Sequence, residues 1–449
     1  MKKKYLNTLI ALAILAGMWG AFTYYDKRKA AQPTKTEAAA QEKLLALDSP
    51  HIQTFTLRPR DGEALTCQRV GGAWNIVEPH QLAADSSSVS SLLSSLTGAT
   101  VDEVVDPRGA DLKPFGLDPP AFSLEVSTDA RPAKFELHLG DDTPTGMGVY
   151  AQVAGSPRVF TLPSYVKTSL EKNLFDLRDK RVVTLDADQL RRMEASWKGK
   201  KWTLEKNPEG VWDLVLPPAV RADHFAVEGM VSQLRGLNMQ SVVSESKKDQ
   251  AQYGFSSPEL RLLLTGPNGT QTLELGKKTK KKDGDNRTYA RNSALEPLFT
   301  LGSDFVTQFE KDPADLREKD LFSFSSFELK RVSVTTPKGP RTFEQQKDNK
   351  WKQIAPTAKD VSADKVTTLL MRLRDLRADS FPKEGKAEAF GFSKPAYRFE
   401  VTFGDKNQKE TVEVARVGDH VYARRATDPL PCQLSKSAIE DVEKALGDL

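Results

Sequence analysis

Two cysteines, five histidines and no excess of either charge mark this chain of 449 residues; 65 Lys and Arg stand against 61 Asp and Glu, for a net +4. Each shortage removes a class of protein. Cys67 and Cys432 supply neither a disulfide framework nor a four-thiolate zinc site. Balanced charge gives no field that would draw nucleic acid. His51, His80, His138, His224 and His420 form no His-Glu-x-x-His helix and no other metal spacing. There is no G-x-S-x-G elbow, and Gly276-Lys277-Lys278-Thr279 has Gln271 where a phosphate loop needs its first glycine. Ser164-Tyr165-Val166-Lys167 has S-x-x-K spacing, but without its SDN and KTG partners it reads as a helix start. At 39% hydrophobic and 28% charged, the chain is neither a multi-span membrane protein nor strongly disordered.

Long apolar runs are also missing, with one exception. After Met1-Lys2-Lys3-Lys4, no charge occurs from Tyr5 to Tyr25, and Asp26-Lys27-Arg28-Lys29 closes the run. As a helix this stretch spans roughly 30 Å, the thickness of a bilayer's hydrocarbon core. It ends in bulky Phe22-Thr23-Tyr24-Tyr25, which favours a retained anchor over a cleaved signal peptide. Met18 stands where a lipoprotein signal would place its cysteine. Three lysines and the α-amino group before the run, against three basic residues and Asp26 after it, bias the N-terminus inward. Residues 1–29 are therefore expected to be a transmembrane anchor and 30–49 a polar stalk.

The rest is repetitive. Trp74, Trp212 and Trp351 are spaced by 138 and 139 residues, and each is followed five positions on by Pro79, Pro217 or Pro356. Next comes an amphipathic helix whose apolar face is Val89, Leu92, Leu93, Leu96, then Val227, Met230, Val231, Leu234, then Val366, Leu369, Leu370, Leu373; all keep i, i+3, i+4, i+7 spacing. Asp85, Asp223 and Ser362 are placed to cap these helices. Downstream, Phe115-Gly116, Tyr253-Gly254 and Phe390-Gly391 each lead to a proline, two strand-like runs, and Tyr150-Ala151, Tyr289-Ala290 or Tyr422-Ala423. A short helix closes each copy. A period this long is domain-sized rather than solenoid-like. The order strand-strand-strand-helix-strand-strand-strand-helix predicts an α+β fold: three tandem homologous domains, 50–180, 181–320 and 321–449, with antiparallel sheets and two helices each.

The recurring residue types pack and turn chain rather than react; a buried indole with one N–H to satisfy is their usual use. An exposed Trp74, Trp212 and Trp351 would instead offer a glycan platform. Lys277, Lys278 and Lys280 to Lys282, with Asp283-Gly284-Asp285 after them, read as a solvated hairpin tip, the alternative being contact with anionic lipid. Cys432 replaces a phenylalanine of the other copies and reads as a small buried apolar residue, a bridge to Cys67 being undecided by sequence.

The basic start, the single span, the W-x4-P segments, the aromatic-Gly-x-x-x-Pro turns and Tyr289-Ala290-Arg291 with Tyr422-Ala423-Arg424 resemble the bacterial domain of unknown function 4340 (DUF4340) family. The first copy departs, with Gln152 in place of arginine. The resemblance implies a membrane-anchored envelope protein, in the inner membrane with its bulk in the periplasm, accessory to an ABC-type transport system. It supplies no catalytic residues. The expectation is a non-enzymatic extracytoplasmic binding or scaffold protein with no catalytic, cofactor or metal residues, partnered by the membrane and an integral transporter subunit or other envelope protein. The alternatives are an envelope hydrolase, for which Asp141 and Asp142 are examples of available acids, and a glycan-binding protein.

Overall fold

The computed structural model describes residues 42–45, 48–216, 218–246, 250–279, 286–325, 327–347, 350–382, 387–428 and 430–449. The expected anchor, most of the stalk, Pro217 and Lys280 to Lys282 of the lysine run lie outside them. No helix among the described residues is long and apolar enough to cross a membrane.

Each copy builds one antiparallel sheet. In the first, β1 (Ile52–Pro59), β2 (Leu65–Val70), β3 (Ala73–Glu78) and β4 (Leu82–Ala83) form one meander. Helix α1 (Ser86–Gly98) and β5 (Glu103–Asp106) follow, then a second meander of β6 (Phe122–Thr128), β7 (Lys134–Asp142), β8 (Gly148–Val153) and β9 (Val159–Pro163), then α2 (Ser164–Leu170) and α3 (Leu174–Leu177). The sheet order is β4-β3-β2-β1-β6-β7-β8-β9-β5, so the meanders join through β1 and β6, and β5 pairs on the far edge. The second copy repeats this with β10 (Arg192–Trp197), β11 (Lys200–Lys206), β12 (Trp212–Leu214), β13 (Val220–Arg221), α4 (His224–Arg235), β14 (Ser241–Ser244), β15 (Leu260–Gly266), β16 (Gly269–Lys278), β17 (Arg287–Asn292), β18 (Leu298–Gly302) and α5 (Asp304–Phe309). The third has β19 (Leu329–Thr336), β20 (Gly339–Gln345), β21 (Trp351–Ala355), β22 (Lys359–Val361), α6 (Ala363–Arg374), β23 (Tyr397–Phe403), β24 (Gln408–Val417), β25 (His420–Arg425), β26 (Cys432–Leu434) and α7 (Lys436–Gly447). Its far-edge strand shrinks to a single bridge, Ser380 to Gln433. Thus each three-strand run of the sequence reading has a fourth member.

Alternation sets the inner face. Phe122, Leu124 and Val126 of β6 point inward between more exposed neighbours. All twelve helix-face aliphatics are buried as their spacing requires, each worth about 1.5–3 kcal/mol relative to exposure. Asp85 and Asp223 accept from the amides of Ser88 and Ala226 at 2.7 and 2.9 Å. Ser362 stands at the corresponding N-cap, but its side chain makes no capping bond.

By internal contacts the chain divides into two compact units, one ending at Asp179 and one covering Lys180–Leu449; the second unit holds the second and third sheets. Within it, the segment after α5 joins those sheets. The Asp223 amide donates to Leu316 and the Glu318 amide to Arg221, then Leu321 donates to Leu376 and Ala378 to Lys319. Arg317, buried between these ladders, lays its guanidinium 3.9 Å from the Phe381 ring, donates to the Leu430 carbonyl at 3.1 Å and lies 3.7 Å from the Asp428 carboxylate.

Candidate functional site

The tryptophan landmarks are not a surface platform. Trp74, Trp212 and Trp351 are 5–6% exposed, and Trp74 packs 5.3 Å from Phe55. Burial removes the exposed-indole basis for the glycan reading.

The other recurring residues meet one another. The aromatic-Gly turn lies against the Tyr-Ala strand: Phe115 pairs with Tyr150, Tyr253 with Tyr289 and Phe390 with Tyr422, at ring separations of 5.0, 4.7 and 4.9 Å. The turn glycines have φ of 67°, 90° and 80°. So close is the approach that a Cβ on Gly140 or Gly276 would sit 2.0 or 2.1 Å from the Phe115 or Tyr253 carbonyl oxygen. Sheet register aligns Ala415 of the third copy with these glycines.

The arginine of Tyr-Ala-Arg is held on both sides. Arg291 bonds Glu274 at 2.7 Å and stacks 4.7 Å from Phe255; Arg424 bonds Glu413 at 2.8 and 2.9 Å and stacks 4.5 Å from Phe392. In the first copy Gln152 faces His138 across the same register, and Leu117 stands at the phenylalanine position. All three members of the cluster have changed together.

The remaining candidates are dispersed. Ser164 begins α2, and Lys167 is paired with Asp142 at 2.8 Å, while Asp141 lies beside Gly116. His51 bonds Asp129 and His138 bonds Glu136, each at 2.9 Å, and His420 bonds Gln433 at 3.3 Å. Among the described residues, no group of three His, Cys, Asp or Glu side chains is placed to hold a metal ion. Cys67 and Cys432 are buried free thiols; burial pushes them up to about 12 and about 11, which keeps both protonated and unreactive at neutral pH.

Sequence reasoning missed a cleft where the first hairpin of a copy meets the end of its closing helix. In the first copy it has a volume of about 470 Å³, an apolar floor of Leu57, Leu65, Phe122 and Leu174, and a rim of Glu63 and Glu171. Burial raises the Glu171 carboxyl above the usual carboxylate range, against the pull of Lys167. Lys172, also on the rim, donates its ammonium to the Thr168 carbonyl at 2.8 Å. The third copy has the corresponding cleft, about 670 Å³, with Lys338, Arg341, Lys359, Tyr397 and Glu443 around it.

One position sets the difference. Leu65 pairs with Leu57, Trp202 with Ala195 and Arg341 with Val334, at equivalent points of the three hairpins. Leu65 leaves the cleft open. Trp202 is buried, stacks over Phe309 with ring centres 6.5 Å apart, and donates its Nε1–H to the Phe309 carbonyl at 3.0 Å. Arg341 crosses to the Leu446 carbonyl at 2.8 Å, and burial lowers its pKa.

What recurs is therefore a frame, and the corner of it at the first hairpin differs from copy to copy: the class is a tandem antiparallel-sheet repeat protein. The chain belongs to the family described as Domain of unknown function (DUF4340), which matches residues 74–214 and 212–395. Both matches begin at a landmark tryptophan, Trp74 and Trp212. No curated protein and no solved structure matches the chain.

Proposed function

We propose that this protein is a membrane-anchored extracytoplasmic binding or scaffold protein of a bacterial inner membrane, accessory to an ABC-type transport system. It works by recruitment and positioning, without covalent chemistry. One observation carries the reading: residues shared by the copies are spent on packing, while the corner residue that differs between copies, Leu65, Trp202 or Arg341, leaves the corner open, fills it with an indole or lays a guanidinium across it. Tandem copies on one tether raise the local concentration of such surfaces near the membrane. The apolar run Tyr5–Tyr25 supports the tether and the family resemblance supports the transport partner.

In-cell photo-crosslinking from the repeats of the full chain, followed by identification of the captured proteins, tests this. Recovery of an integral transporter subunit is the expected result. Turnover of an envelope substrate by the purified protein, abolished by a single substitution, overturns it.

A further inference from the structure

We propose that the first-copy cleft is a socket for an aromatic side chain of a partner protein, presented next to a Lys or Arg. The proposal rests on the binding reading above and names the partner chemistry at one site.

The second copy shows what the socket holds. There the hairpin carries its own occupant: Trp202 covers the end of α5, and the lysines beside it reach acids just beyond that helix, Lys198 to Glu310 at 3.4 Å and Lys200 to Asp312 at 2.7 Å. Closing segments of the two copies align residue for residue, Asp176-Leu177-Arg178 on Asp315-Leu316-Arg317. This places Leu170 on Phe309, Glu171 on Glu310 and Asn173 on Asp312.

In the first copy one of the two acids is kept, Glu171 for Glu310, Asn173 replaces Asp312, and the occupant is gone. Leu65 replaces the indole, and the hairpin's own cations are engaged elsewhere, Arg58 with Glu125 at 3.7 Å and Arg60 with the carbonyls of Gly116, Pro119 and Pro120. Glu171 remains at the rim, joined by Glu63, while the Lys172 ammonium on that rim is held on the Thr168 carbonyl at 2.8 Å, so the opening is apolar within and carries two carboxyl groups against one ammonium at its edge. Charge complementarity selects a cationic neighbour for the aromatic group, as Lys198 and Lys200 supply it for Trp202. The third copy, with Arg341 across its cleft and Lys338 and Lys359 around it, has the opposite charge and is not a second socket of this kind.

The probe is a fluorescent nonapeptide with the sequence of residues 198–206, added to the detergent-solubilised full chain and followed by anisotropy. Saturable binding is expected. It should weaken at least about tenfold when the peptide's tryptophan is alanine, and by a similar factor when its Lys198 and Lys200 are both glutamate. Leu65→Trp should abolish binding, because the protein's own indole then fills the socket. As a second measurement, 5-fluorotryptophan labelling of that variant should add one ¹⁹F resonance insensitive to H₂O/D₂O exchange; a solvent-sensitive resonance overturns the proposal. If Leu65→Trp fails to fold, Glu171→Lys with Glu63→Lys gives the same test by charge reversal, and unchanged affinity overturns it. Absence of peptide binding also overturns the socket but leaves the scaffold reading intact, since that reading stands or falls on transporter crosslinking.

Discussion

The first and second sheets share strand order, helix faces and closing segment, yet one ends its first hairpin in an open cleft and the other in a buried indole. Leu65 and Trp202 occupy the same register point. The difference teaches that this fold tolerates either a filled or an empty corner, so the corner is free to vary while the frame is not.

The comparison breaks most visibly at the indole itself. Trp202→Ala should cost about 3–5 kcal/mol in chemical denaturation, the usual cost of removing a large core aromatic, and should open in the second copy a cleft like that of the first. Leu65→Ala, beside space that is already empty, should cost about 2 kcal/mol. Equal costs would remove the distinction between plugged and open.

Next in size is the close approach of strand and turn. Gly276→Ala drives a Cβ to 2.1 Å from the Tyr253 carbonyl oxygen and should cost about 3 kcal/mol of unfolding free energy, whereas Ala415→Gly in the third copy should cost about 1 kcal/mol or less. The Arg-Glu-Phe cluster comes third. Arg291→Gln removes a bond to Glu274 and a ring contact, for about 1–2 kcal/mol. Gln152→Arg in the first copy, which has neither partner, should stay within about 0.5 kcal/mol.

The smallest effect concerns pH. Burial raises the Asp428 carboxyl, with Arg317 and Arg425 opposing. Its counterparts, on hairpins of equal length, are Ser156 and Leu295. A raised carboxyl pKa means that the folded state holds the proton more tightly. This contribution therefore stabilises at low pH and is lost as pH rises from about 4, the unfolded value, through the folded one. Denaturation midpoints of Asp428→Asn should lack that component of the slope, and the first unit should show no such component at this position.

Much of the frame was legible because its signals are local. Four apolar residues at i, i+3, i+4, i+7 can face one way only on a helix, and Val89, Val227 and Val366 each begin such a set that the structure buries. The short strands were not legible. Leu82–Ala83 and Glu103–Asp106 carry no alternation to detect and exist because a neighbouring strand offers hydrogen bonds. The cleft was hidden for a different reason. Leu65 lies eight residues after its partner Leu57, and Trp202 seven after Ala195. An alignment hung on Trp74 and Trp212 therefore sets Trp202 against Ala64. Only the hairpin register brings Leu65 and Trp202 together.

The stretch from Pro313 to Ser323 has a mechanical meaning. It is hydrogen-bonded first to the second sheet's helix entry and then to the third sheet's helix exit, with Arg317 riveted to Phe381 and Leu430 between. A connector tied down at both ends and at its middle is a splice rather than a swivel. Torque applied to the third sheet is borne at Asp223, where the second sheet's long helix begins, so a load on one is delivered to the other instead of being absorbed by slack chain.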